Sequence, residues 1–92
     1  GRTVATERDG HLSAFPNPFN STVTITYDLP HRADIELAMY NLLGERVAVL
    51  AQGSAEAGTH SAHWKPEISS GIYFARLKAG ASQITQKLLL LK

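Results

Sequence analysis

The sequence predicts an all-β protein, an antiparallel β-sandwich of about seven strands. Three observations carry that expectation. Apolar and polar residues alternate with period two in several runs, the pattern of half-buried strands. Turns rich in Gly, Pro and Asn separate the runs at roughly 8–12-residue spacing, as in sandwiches. The composition, 43% hydrophobic and 18% charged over 92 residues, is that of one small globular domain.

The elements follow in chain order. Residues 1–11 are polar and patternless and are expected to be a tether or linker, with the domain running over 12–92. "FPNPFN", Phe15 to Asn20, is stiff because each proline fixes its own φ and holds the preceding residue extended. It reads as a rigid plug and first edge strand, with both Phe rings over an open end and with Asn17 and Asn20 bonding nearby backbone amides. From Ser21, Val23, Ile25, Tyr27 and Leu29 alternate with Thr22, Thr24, Thr26 and Asp28, and Pro30 closes the strand. Ile35, Leu37 and Met39 then mark a strand opposite Glu36, Ala38 and Tyr40. Asn41 and Gly44 supply a turn into a strand over Glu45–Leu50. "AQGSAEAG" is expected to be a loop. "THSAHW" places His60, Ala62 and Trp64 on one face and ends at Pro66. "ISSG" turns the chain into "IYFARLK", "AGAS" makes a hairpin, and "QITQKLLLLK" is the closing strand. A helical alternative exists only over "IELAMYNLLGERVAVLA", and Gly44 in its middle costs about 1 kcal/mol.

In the closing strand, Leu88 and Leu90 share a face with Ile84, whereas Leu89 and Leu91 share the other. A strand apolar on both faces is either central or short of partners. At a sheet edge, Leu89 and Leu91 would form a greasy strip between Lys87 and Lys92, suited to docking by strand addition. The bland reading is core packing or cover by a neighbouring segment.

Composition narrows the function. Net charge is +1 and the nine Lys and Arg residues are scattered, so no basic stripe invites nucleic acid. With no cysteine, disulfides and Cys-based zinc sites are excluded. No apolar run approaches the roughly 18 residues of a membrane span. "GRTVATERDGHL" lacks the apolar core of a signal peptide and reads as a cut edge. His60 and His63, with Glu56 nearby, point to opposite faces of a strand and cannot readily share an ion, so metal is not expected. His60 is expected half-buried near Trp64, and His63 on a polar rim. Asp9, Asp28 and Asp34 make no calcium loop. No Ser, His or Asp stands in a nucleophile elbow, so neither catalysis nor a cofactor is implied. "NST" at Asn20 matches a glycosylation sequon but reads as a strand start. Tyr40, Trp64, Tyr73 and Phe74 would serve an accessory carbohydrate-binding module only if they formed one planar strip; as core residues they would not.

"FPNPFNSTVTITYDLP", "ELAMYNLLGERVAVL", "AGTHSAHW", "SGIYFARLKAG" and "QKLLLLK", in that order, resemble the type A C-terminal sorting domain read by the type IX secretion system. The Ig-like domain of flagellar hook-capping proteins has a similar layout. The resemblance spans about Phe15 to Lys92 and implies an Ig-like antiparallel β-sandwich without enzymatic activity. It implies a role as a tail recognised in the periplasm by the outer-membrane secretion machinery, which exports an N-terminal cargo to the medium or cell surface. It further implies a sortase-like peptidase, which in the family often removes the tail and anchors the cargo. The positions matching the family's recognition blocks are Gly71 and Tyr73, and Lys87, Leu88, Leu90 and Lys92. Ser70 departs from the proline often found before the glycine. A passive Ig-like spacer, with weak self-association through an edge strand, is the plainer alternative.

Overall fold

The computed structural model describes residues 11–92; the expected tether over 1–11 lies outside them except for His11, which instead opens the first strand. The clearest alternation in the sequence gives the clearest strand: β2 (Val23–Leu29) buries Val23, Ile25, Tyr27 and Leu29 and leaves the residues between them half-buried. Around it the chain forms β1 (His11–Phe15), β3 (Ala33–Asn41), β4 (Arg46–Ala55), β5 (Gly58–Trp64), β6 (Gly71–Ala79) and β7 (Ser82–Leu90). They assemble into a three-stranded sheet, β1-β2-β5, and a four-stranded sheet, β4-β3-β6-β7. Each strand pair within a sheet is antiparallel. No described residue is helical, so the expected Ig-like sandwich is what the chain adopts.

The core lies between the sheets. Val23 and Ile25 face Leu37, Met39, Leu77, Leu88 and Leu90, and each of these seven side chains is essentially inaccessible to solvent. Full burial of a residue of this kind stabilises the fold by roughly 1.5–3 kcal/mol. Trp64 seals one end, edge-on to Tyr73 at 5.6 Å and tilted against Phe19 at 6.0 Å.

Three expectations are revised. "AQGSAEAG" is not a loop: β4 continues to Ala55, because Ala51 to Ala55 stay in register with Leu37 to Ala33 of β3. These small residues have little strand propensity, and the ladder supplies what propensity does not. Register shifts in the β3–β4 pairing twist this edge on its way. The Phe rings of "FPNPFN" part company, Phe19 being 3% exposed in the core and Phe15 77% exposed at the end of β1. Asn17 bonds not to nearby amides but to β7, some seventy positions along the chain.

Register fixes which loops share an end. Phe15, Val23 and Trp64 lie at one end of their sheet, and Asn41, Gly71 and Leu90 at one end of the other; the Phe19–Leu90 bridge and the Trp64–Tyr73 contact bring these two ends together. The chain enters the sandwich at the other end, at His11, opposite Asp28.

Candidate functional site

The closing strand β7 forms the edge of the four-stranded sheet, and side-chain parity divides its residues. Leu88 and Leu90 are wholly buried and hold the strand to the core. Lys87 is exposed, Leu89 is half-buried beside Ile72, and beyond the strand Leu91 is 51% exposed and Lys92 is exposed. Of the residues singled out in the sequence, Lys87, Leu89, Leu91 and Lys92 therefore reach solvent. Leu88 and Leu90 act through the position they impose on them.

The backbone edge of β7 is occupied where strand addition would begin. Asn17 Nδ2 donates to the Lys87 carbonyl (2.9 Å), and the Leu89 N–H donates to Asn17 Oδ1 (3.1 Å). Next to it, the Phe19 N–H donates to the Leu89 carbonyl (3.0 Å) and the Leu91 N–H donates to the Phe19 carbonyl (2.8 Å), a one-residue parallel bridge. "FPNPFN" thus leaves the end of β1, crosses to the other sheet and caps the terminal strand. Prolines at 16 and 18 suit such a segment, because its residues 17 and 19 make the bonds and neither 16 nor 18 is asked for an N–H. Pro16, Pro18, Phe19 and Asn20 line an open hollow against Leu91.

The Gly-x-Tyr block supports the same end. Tyr73 is buried, and its hydroxyl donates to the Ser69 carbonyl four residues upstream at 2.7 Å. A tyrosine near the start of this strand, bonded back to the preceding loop, is the tyrosine corner of Ig-like sandwiches. Gly71 has φ +157, and a Cβ there would meet only the Tyr73 ring at 3.9 Å, an ordinary contact. The glycine is required by backbone conformation more than by space. Ser70 is engaged as well, since its Oγ accepts from the Lys92 N–H at 2.8 Å and ties the last residue to the loop before β6. Asn17 and Phe19 carry no local sign of their contacts with β7, nor Ser70 of its bond to Lys92, since each partner is far away in the chain. The signal that could have found Asn17 was its place between two prolines, where an amide side chain can replace a missing strand.

The other candidates separate. His60 stacks on Tyr27 (centroids 5.3 Å apart, planes 20° apart), and its Nε2 lies 2.8 Å from the Glu56 carbonyl. It is half-buried as expected, but its ring partner is Tyr27, while Trp64 is engaged with Phe19 and Tyr73. His63 lies on the exposed face, with Nδ1 3.0 Å from Thr24 Oγ1. Among the described residues no group of three or more His, Cys, Asp or Glu could hold a metal ion. Burial raises the Tyr27 hydroxyl above its ordinary pKa of 10.0. The aromatics make no single platform: Trp64 and Tyr73 face the core, whereas Tyr40 and Phe74 pair on the outer face of the four-stranded sheet. There the Arg76 guanidinium covers the Tyr40 ring, 4.2 Å from its centroid.

Sandwich, tyrosine corner and built-in terminal strand define an Ig-like module whose distinctive chemistry lies at one end of its fold. The chain belongs to the secretion system C-terminal sorting domain family, whose pattern it matches over residues 13–91. The family is that of type IX secretion, a non-catalytic sorting signal that implies an N-terminal cargo, an interaction with the secretion machinery and an extracellular or cell-surface fate. Neither the curated proteins nor the solved structures include a significant match to it.

Proposed function

We propose that this domain is the address by which the outer-membrane machinery of type IX secretion takes its cargo from the periplasm, and that the address is a surface of the folded sandwich. The supporting observation is the closing block itself. Leu88 and Leu90 are locked in the core while Lys87 and Leu89 on the strand, and Leu91 and Lys92 just beyond it, are displayed where Asn17 and Phe19 already occupy the edge. Receptor contact is then made by side chains, an apolar strip of Leu89 and Leu91 between two cations. Gly71 and Tyr73 contribute by fixing the loop that Lys92 is tied to. A sortase-like peptidase that removes the tail and anchors the cargo at the cell surface completes the scheme.

The test is a fusion of residues 1–92 to a periplasmic reporter in a host with the machinery. Export of the reporter, and its loss on removing Gln86–Lys92, is the expected result. A folded fusion retained in the periplasm refutes the address. Export surviving in a Leu89→Ser/Leu91→Ser variant lacking both lysine charges (Lys87→Gln, Lys92→Gln) refutes the closing block as its reading surface.

A further inference from the structure

Among the described residues seven large apolar side chains are exposed: Phe15, Leu42, Leu43, Val47, Val49, Ile68 and Leu91. Their distribution is one-sided. Phe15 ends β1, Leu42 and Leu43 form the β3–β4 turn, Ile68 lies in the loop before β6, and Leu91 follows β7. By the register within each sheet, and by the Phe19–Leu90 bridge and Trp64–Tyr73 contact between them, these positions all belong to the end of the sandwich that carries the closing block, and Val47 and Val49 sit on the half of β4 nearest to it. Among the described residues, the end where the chain enters, with the loops around Pro30, Glu56 and Gly80, exposes no such residue. An apolar pole facing away from the point of attachment is what a docking end requires.

Within that pole the most exposed pair is Leu42, at 67%, and Leu43, at 83%. They are held out by a built turn. Asn41 Oδ1 accepts from the Leu43 and Glu45 N–H groups at 3.0 and 2.9 Å, and Asn41 Nδ2 donates to Glu45 Oε1 at 2.8 Å. Backbone bonds from Asn41 N to the Glu45 carbonyl and from Gly44 N to the Asn41 carbonyl close the loop. Gly44, at φ +85, takes the left-handed position. A turn this constrained loses little freedom on binding, so its two leucines are preorganised anchors.

We infer that the Leu42–Leu43 turn is a second contact element for the receptor that reads the closing block, inserting into an apolar cleft of that protein. The inference rests on the sorting function proposed above and adds to it a site on a different hairpin. Continuity selects the occupant, because the turn shares its end of the fold with Leu91 and Lys92. Charge selects a protein over a bilayer. Around this end Lys65, Lys87 and Lys92 stand against Glu45 and Glu67, while Arg46 is paired with Glu36. So mixed a set of charges gives little attraction to anionic lipid. A mixed polar rim around apolar anchors is the anatomy of a protein interface.

The experiment compares three versions of the 1–92 fusion in a host with the machinery: unaltered, Leu42→Ser/Leu43→Ser, and Leu42→Met/Leu43→Met. The serine pair is expected to lower export at least tenfold, while the methionine pair, still apolar, retains it; protease resistance of the periplasmic pool shows the tail folded in each. Export of the serine variant at the level of the unaltered fusion overturns this inference alone. Retention of the unaltered fusion overturns the sorting function beneath it. Leucine-dependent sedimentation of the purified fusion with phosphatidylethanolamine–phosphatidylglycerol vesicles assigns the turn to lipid and overturns the protein cleft.

Discussion

Replacing Asn17 by alanine tests how the terminal strand is held. The substitution deletes two hydrogen bonds to β7, from Asn17 Nδ2 to the Lys87 carbonyl and from the Leu89 N–H to Asn17 Oδ1. A hydrogen bond of this kind contributes about 0.5–1.5 kcal/mol net, and Asn17 is exposed, so water partly replaces what is lost. The expected cost is about 1–2 kcal/mol, which for a domain of this size lowers the melting temperature by about 5–10 °C. Hydrogen exchange localises the effect. The Leu89 amide, which faces outward to Asn17, should exchange about ten-fold faster or more, since 1.4 kcal/mol is a factor of ten. Leu88 and Leu90 face β6 in the alternating ladder and should change only as global stability changes. Asn17→Asp keeps an acceptor for Leu89 but loses the donor to Lys87, so Leu89 should stay better protected than in the alanine variant. Unchanged Leu89 exchange in Asn17→Ala, with an unchanged melting temperature, would refute the claim that this amide stands in for a missing strand.

Four further outcomes follow from the same geometry. Tyr73→Phe leaves the Ser69 carbonyl without its donor and should cost about 1–2 kcal/mol in urea unfolding, with the ring contact to Trp64 kept. Leu88→Ala opens a cavity in the core and should cost about 2–5 kcal/mol, whereas Leu91→Ser should change stability by less than about 0.5 kcal/mol; denaturant midpoints separate the two. Ser70→Ala should free the Lys92 amide, read as faster exchange at the terminus alone. For Tyr27 the folded state has the higher pKa, so its contribution is fully present below the unfolded value of about 10 and is lost as pH rises through the folded value. Alkaline unfolding should therefore steepen above pH 10, and Tyr27→Phe should flatten that slope.

The sandwich was legible because strand alternation is local. Val23 to Leu29 and Ile35 to Met39 state their buried faces without reference to any partner, and the Gly, Pro and Asn turns state where each run stops. Leu88 and Leu90 were readable as a common face for the same reason. Residues 51–55 were not, because Ala, Gln, Gly and Ser carry no strand signal of their own and are held by pairing with β3.

What the sequence alone determined is which side chains can be buried together, and with it a two-sheet core ending in an apolar strand. What only the tertiary structure decided is which edge that strand occupies and what touches it. Asn17 and Phe19 meet β7 across most of the chain, Ser70 holds Lys92 just beyond it, and the exposed leucines of the β3–β4 turn lie at the same end of the fold. A bond between residues seventy positions apart leaves no periodicity in the sequence, because its geometry exists only after both sheets have closed.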